Sequence, residues 1–110
     1  MNSEAVDILE KSLKFLSDPD HWAKGVLGRD KNGNAIDYIS PHCHSRCLAS
    51  TVLFFLYKQN KKRPVNSEFH DVAFYIKEAI QYQSIAEVND HSTHEEILEI
   101  LRKSIEKAKL

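Results

Sequence analysis

Asn32-Gly33 is the feature that most constrains what this chain can become. It sits between two short runs, Val26-Leu27-Gly28-Arg29 and Ala35-Ile36-Asp37-Tyr38, in a chain that elsewhere keeps helical periodicity. Asn-Gly supplies the positive φ angles that tight hairpin turns need, so the stretch predicts a β-hairpin. A lone two-stranded ribbon is marginal in water and has to lean on helices. Trp22 is the side chain expected to pin it down.

The flanking segments read as helices. The first is expected to start at Ser3 and run to about Ser17, with Ala5, Ile8, Leu9, Leu13 and Leu16 on one stripe. Asp18-Pro19 ends it, because the residue before proline is pushed out of the α region. Ser40-Pro41 predicts the N-cap and first residue of a second helix. From Cys47 to Tyr57 that helix is apolar nearly all round, which predicts a central, buried element or one partly covered by another subunit. Asn66 or Ser67 caps a third helix carrying Phe69, Val72, Ala73, Ile76 and Ile80. Ser84-Ile-Ala-Glu87 has the spacing to start a short extra turn. Thr93-His-Glu-Glu96 opens the last helix, whose stripe is Ile97, Leu98, Leu101, Ile105 and Ala108. The predicted fold is mainly α: one domain over residues 1–110, four helices, and a small β-hairpin inserted between helices 1 and 2.

Bulk properties bound the function. Apolar residues make up 42% and charged residues 28% of the 110 residues, as in ordinary globular domains. The net charge of −1 gives no global field to recruit nucleic acid or anionic membrane. No apolar run reaches the roughly 20 residues of a membrane helix. The acidic N-terminal stretch of Glu4, Asp7 and Glu10 lacks a Sec-type signal layout. Two cysteines, Cys43 and Cys47, expected four apart in one helix, read as free thiols of a reducing compartment. The expectation is a cytoplasmic protein, or one delivered by a dedicated secretion system.

Trp22-Ala-Lys-Gly25, Gly28-Arg29-Asp30 with Gly33, Cys47-Leu48, Asn89-Asp90 and Thr93-His94-x-Glu96 form a spaced pattern over residues 20–108. The pattern resembles a family of small uncharacterised bacterial and phage domains. Two departures are the missing aromatic just before Asn89 and the extra His42-Cys43-His44. The resemblance implies a fold unit and no reaction.

Four clusters could carry chemistry. His42, Cys43, His44 and Cys47 are zinc-ligand types, and His44 with Cys47 is the candidate metal pair. The same spacing fits two buried thiols with histidines on a solvated turn. Cys47 as nucleophile, His94 as base and Asp90 or Asn89 as orienting group would be a thiol constellation if folding brought them together. Arg29 and Asp30 could join Asn89-Asp90 in a polar site, or Arg29 could pair with Asp90 to tie the hairpin to the last loop. Lys58, Lys61, Lys62 and Arg63, with Tyr57 nearby, form a basic loop that could touch phosphate; it reads as a solvated loop, because the rest of the chain offers no basic face or base-stacking platform. Phosphate-cradling glycine loops and the common hydrolase motifs are absent.

The resulting expectation is a non-enzymatic protein-interaction module, a stoichiometric inhibitor or adaptor of a larger, effector-type enzyme. Its Lys/Asn/Ile-rich composition is similar to that of proteins from intracellular bacterial pathogens. No cofactor is expected, and the partner is another protein, with homodimer pairing through the apolar second helix. The predicted binding residues are Trp22, Arg29, Asp30, Lys61, Lys62 and Arg63. The alternative is a thiol- or zinc-dependent small protein using Cys47, His44, His94 and Asp90.

Overall fold

The computed structural model describes residues Met1–Leu110 and is mainly helical, with five α-helices and one two-stranded antiparallel sheet. Helix α1 (Ser3–Leu16) starts one residue earlier than its serine suggested: Asn2 is the N-cap, its Oδ1 accepting from the Ala5 N–H at 3.0 Å. Ala5, Ile8, Leu9 and Leu16 are fully buried along its stripe. Ser12 is tolerated there because its hydroxyl donates back to the Ile8 carbonyl at 2.8 Å. A short 3₁₀ turn, Pro19–His21, follows, capped by Asp18.

The predicted hairpin forms only in part. Its turn is tight: Asp30 Oδ1 accepts from the Asn32 and Asn34 N–H groups at 2.9 and 3.0 Å, and Gly33 supplies a φ of +86°. The return leg, however, is a single bridge between Arg29 and Ala35. The true partner of β1 (Gly28–Arg29) is β2 (Ser45–Arg46), with Gly28 opposite Arg46 and Arg29 opposite Ser45. Trp22 bridges Arg46 in parallel on the far side of β2, where the Ala23 N–H donates to the Arg46 carbonyl at 2.9 Å. Gly28 is needed at this crossing. A Cβ there would lie 2.6 Å from Cys43 Sγ and 3.1 Å from the Ile36 carbonyl oxygen.

That pairing corrects the expected start of the second helix. Ser40-Pro41 caps a turn, with the Ser40 hydroxyl accepting from the His42 N–H at 3.1 Å and its carbonyl from Cys43. The chain then goes into β2, because Gly28–Arg29 offers backbone partners that local capping preference cannot outweigh. Helix α2 (Leu48–Asn60) begins after Cys47, so the two cysteines do not share a helix.

Helix α2 is buried at Leu48, Val52 and Leu56, while Phe54 and Phe55 remain half-exposed. It is thus less central than its all-round apolarity suggested. Helix α3 (Asn66–Ala79) has Val65 at its N-cap, with Glu68 Oε1 accepting from the Val65 N–H at 2.9 Å. The expected short turn is a full helix, α4 (Ile85–His91), capped by Ser84, which raises the helix number from four to five. Helix α5 (His94–Lys109) has the reciprocal capping box: Thr93 Oγ1 accepts from the Glu96 N–H, and Glu96 Oε1 from the Thr93 N–H.

One core of sixteen buried apolar residues joins α1, α2, α3 and α5. Helix α1 packs between α5 and α2, and α3 closes against α5. Helix α4 and the loop before β1 lie over the N-terminal end of α2, which sets up the polar cluster described next. No helix is long and apolar enough to cross a membrane.

Candidate functional site

Asn89 is the centre of that cluster and is 1% exposed. Its Oδ1 accepts from Trp22 Nε1–H at 2.8 Å and from the Leu48 backbone N–H at 2.9 Å. Its Nδ2 donates to the Ala23 carbonyl at 3.0 Å and to Asp90 Oδ1 at 3.1 Å. All four hydrogen-bonding positions of the amide are filled. One side chain from α4 thereby holds the segment after the 3₁₀ turn and also satisfies an orphan N–H at the start of α2. Trp22 is thus fixed to α4, not to the β-turn.

Asp90 faces outward from the same turn and accepts from the Gly25 N–H at 2.9 Å. This bond, then the one from Asn89, holds its carboxyl below the usual carboxylate range. Gly25 adopts a φ of +76°, which lets its amide reach Asp90. Arg29 does not pair with Asp90. Its guanidinium donates to the Gly33 and Lys24 carbonyls at 3.0 and 3.2 Å and closes the β-turn from below. Asp30 is occupied by the turn amides.

The structure does not join the thiol constellation. The Cys47 thiol donates to Ser50 Oγ at 3.2 Å and accepts from the Ser50 N–H at 3.4 Å as the cap of α2. Ser50 Oγ in turn donates to the Leu27 carbonyl at 2.5 Å. His94 Nε2 lies 2.6 Å from the Leu16 carbonyl, so that nitrogen carries a proton and donates to the end of α1. Its ring leans against Trp22, with centroids 5.8 Å apart. Cys47, His94 and Asp90 each have separate partners and no hydrogen bond to one another.

His44 stands edge-on to His21 at 5.2 Å, and no group of three or more His, Cys, Asp or Glu side chains is arranged to hold a metal ion. Cys43 is half-buried and donates to the Ser45 carbonyl at 3.3 Å, and burial pushes its thiol above the ordinary value. In the basic loop, Arg63 forms an ion pair with Asp37 and lies over the Tyr38 ring. Lys61 ends α2 in a left-handed conformation, and Lys62 is exposed beside it.

Arg46 is the residue that sequence reasoning missed. It is 4% exposed, with its guanidinium 3.7 Å from the Phe54 ring centroid and 5.2 Å from that of Phe15. Its Nε donates to the Tyr38 carbonyl at 2.7 Å. Burial lowers its pKa from the usual arginine value, and no carboxylate pairs with it. The guanidinium lines a pocket of 340 Å³ between the end of α1, the 39–43 loop and α2, together with Phe15, Ile39, Phe54, Tyr57 and Lys58. Across Phe15 a second depression of 360 Å³ is lined by Phe55, His21 and Lys14. Phe15, Phe54, Phe55 and His21 make a connected aromatic face, with Phe15 stacked on His21 at 4.6 Å and edge-on to Phe55 at 6.3 Å. Nothing in the sequence marks Arg46 as inward-facing, because only the β1–β2 pairing turns it toward the phenylalanines.

Of the spaced sequence pattern, Trp22, Gly25, Leu48, Asn89 and Asp90 are linked by direct hydrogen bonds, whereas Arg29, Asp30 and Gly33 serve the β-turn and Thr93 and Glu96 cap α5. No family model matches the chain, and no match is found among curated proteins or solved structures.

Proposed function

We propose that the protein is a non-enzymatic interaction module whose docking surface is the aromatic face formed by Phe15, Phe54 and Phe55 around Arg46. The observation that carries this reading is a division of labour among side chains. The groups best suited to chemistry (Cys47, His94, Asn89, Asp90 and Arg29) spend their hydrogen bonds on loops and helix ends. The large aromatic side chains at the end of α1 and on α2 stay half-exposed around two pockets. Aromatic residues and arginine are the side chains that dominate protein interfaces. A stoichiometric inhibitor or adaptor of a larger enzyme fits this surface, and a second copy of the chain fits it as a homodimer.

Native mass spectrometry of untagged protein from its own host tests the proposal. The expected result is a stoichiometric complex, with a partner protein or as a dimer, that survives Cys47→Ser. One zinc per chain, removed by chelator and lost in Cys47→Ser, would overturn it in favour of a metal site.

A further inference from the structure

We infer that the Arg46 pocket is a carboxylate receptor that takes an acidic side chain of the partner protein. This rests on the interaction reading and specifies the chemistry of its anchor. Arginine has five N–H bonds in a planar fork. One is used on the Tyr38 carbonyl. The two terminal nitrogens have no protein acceptor. Since no fully buried side-chain nitrogen or oxygen is left without a partner, these two keep some accessible surface, and Arg46 lines the pocket. Phe54 and Phe15 stand with their ring centroids 3.7 and 5.2 Å from the guanidinium carbon, and the edge that carries the two unpaired terminal nitrogens is the part of the group left to offer a ligand. An edge with parallel N–H donors matches a carboxylate in a two-pronged arrangement.

Charge points the same way. No acidic residue lines the pocket, Lys58 stands on its rim, and Asp37 is already taken by Arg63. A cation removed from water in this way, with aromatic walls and no internal counter-ion, gains most from an anion that arrives with the ligand. The walls of Phe15, Ile39, Phe54 and Tyr57 suit the methylene stem of glutamate or a neighbouring apolar residue. A partner segment pairing glutamate with an aromatic residue is therefore the occupant the pocket fits.

The test is an NMR titration of the full chain with acetyl-Phe-Glu-amide, acetyl-Phe-Gln-amide, sodium acetate and inorganic phosphate. The expected result is a shift of the Arg46 Nε–H and of the Phe54 and Tyr57 amides with the Glu peptide, about tenfold weaker with the Gln peptide. Acetate and phosphate should bind more weakly than the Glu peptide. Arg46→Met should abolish the preference for Glu. Because Arg46 is buried and its loss could unfold β2, Lys58→Ala provides a second variant, expected to fold normally and to reduce the preference about twofold. Equal shifts from both peptides would overturn the carboxylate inference while leaving the aromatic face as a docking surface. Acetate or phosphate binding as well as the Glu peptide would overturn it in favour of a free-anion site. No shift with any probe would remove this pocket as an anchor, and the survival of the native complex would then decide the interaction reading separately.

Discussion

Removing the Asn89 side chain should be among the most damaging single changes available in this protein. Asn89→Ala takes away the acceptor for Trp22 Nε1–H and the Leu48 N–H and the donor to the Ala23 carbonyl. Leu48 is fully buried and Ala23 is 3% exposed, so water has little access to either backbone group. A buried polar group left without a partner costs roughly 1–3 kcal/mol. Two such groups, with a smaller addition from the half-buried Trp22, give about 3–5 kcal/mol. That is a large part of the roughly 5–15 kcal/mol that holds a domain together. At about 4 °C per kcal/mol for a chain of this size, the thermal midpoint should fall by ~12–20 °C. Urea unfolding followed by circular dichroism reads the free energy. The fluorescence of Trp22, the chain's one tryptophan, reads the local bond. Asn89→Asp separates hydrogen bonding from volume. The introduced carboxylate keeps both acceptor roles but faces the Ala23 carbonyl and Asp90 with lone pairs instead of N–H. Its folded pKa should therefore lie above the unfolded value, with no charge penalty below the unfolded value and a penalty that grows as pH rises through the folded one. An Asn89→Ala protein within about 1 kcal/mol of wild type, with unchanged Trp22 emission, would show that the Asn89 hydrogen bonds do not hold the fold.

Three further predictions follow from other contacts. Gly28→Ala should destabilise the sheet by about 1–3 kcal/mol, because its methyl would meet Cys43 Sγ, and Cys43→Ala in the same chain should recover part of the loss in a double-mutant cycle. Cys47→Ser should change stability by less than ~1 kcal/mol, because serine is itself a good helix cap, whereas Cys47→Ala should cost about 1 kcal/mol by the same urea titration. Asp90, Asp37 and Glu96 all have pKa values lowered by hydrogen bonds, from Gly25, Arg63 and Thr93 respectively. Their stabilisation is present above the usual carboxylate range and is lost as pH falls through the lowered values; Asp90→Asn and Glu96→Gln should each flatten the acid side of a urea-midpoint profile.

Much of the helical frame was legible in the sequence, because caps and apolar stripes are local signals. The Thr93–Glu96 box, the Ser84 cap and the Ile97–Ala108 stripe all depend on residues within a few positions of one another. The region from Ala35 to Cys47 was not, because its structure depends on a partner far along the chain. Ser40-Pro41 has the local chemistry of a helix start, yet β2 is recruited by Gly28–Arg29. The Asn-Gly signal located a turn correctly but misjudged which strand would pair with β1. The polar candidates show a similar division. Asn89-Asp90 stood out as a dipeptide, but that Asn89 would be buried with four bonds depends on Trp22 and Leu48, 67 and 41 positions away. Arg46 carried no local mark at all, since a single arginine before an apolar helix reads as surface.

Two variants decide whether partner binding follows the aromatic face or the thiol. Native mass spectra of Phe54→Ser and Cys47→Ser, each first shown to be folded by circular dichroism, should be recorded beside the wild-type protein from its own host. Docking through the aromatic face predicts that Cys47→Ser keeps the complex and Phe54→Ser loses it. A complex that survives Phe54→Ser but not Cys47→Ser, or a bare chain carrying one zinc, would contradict it.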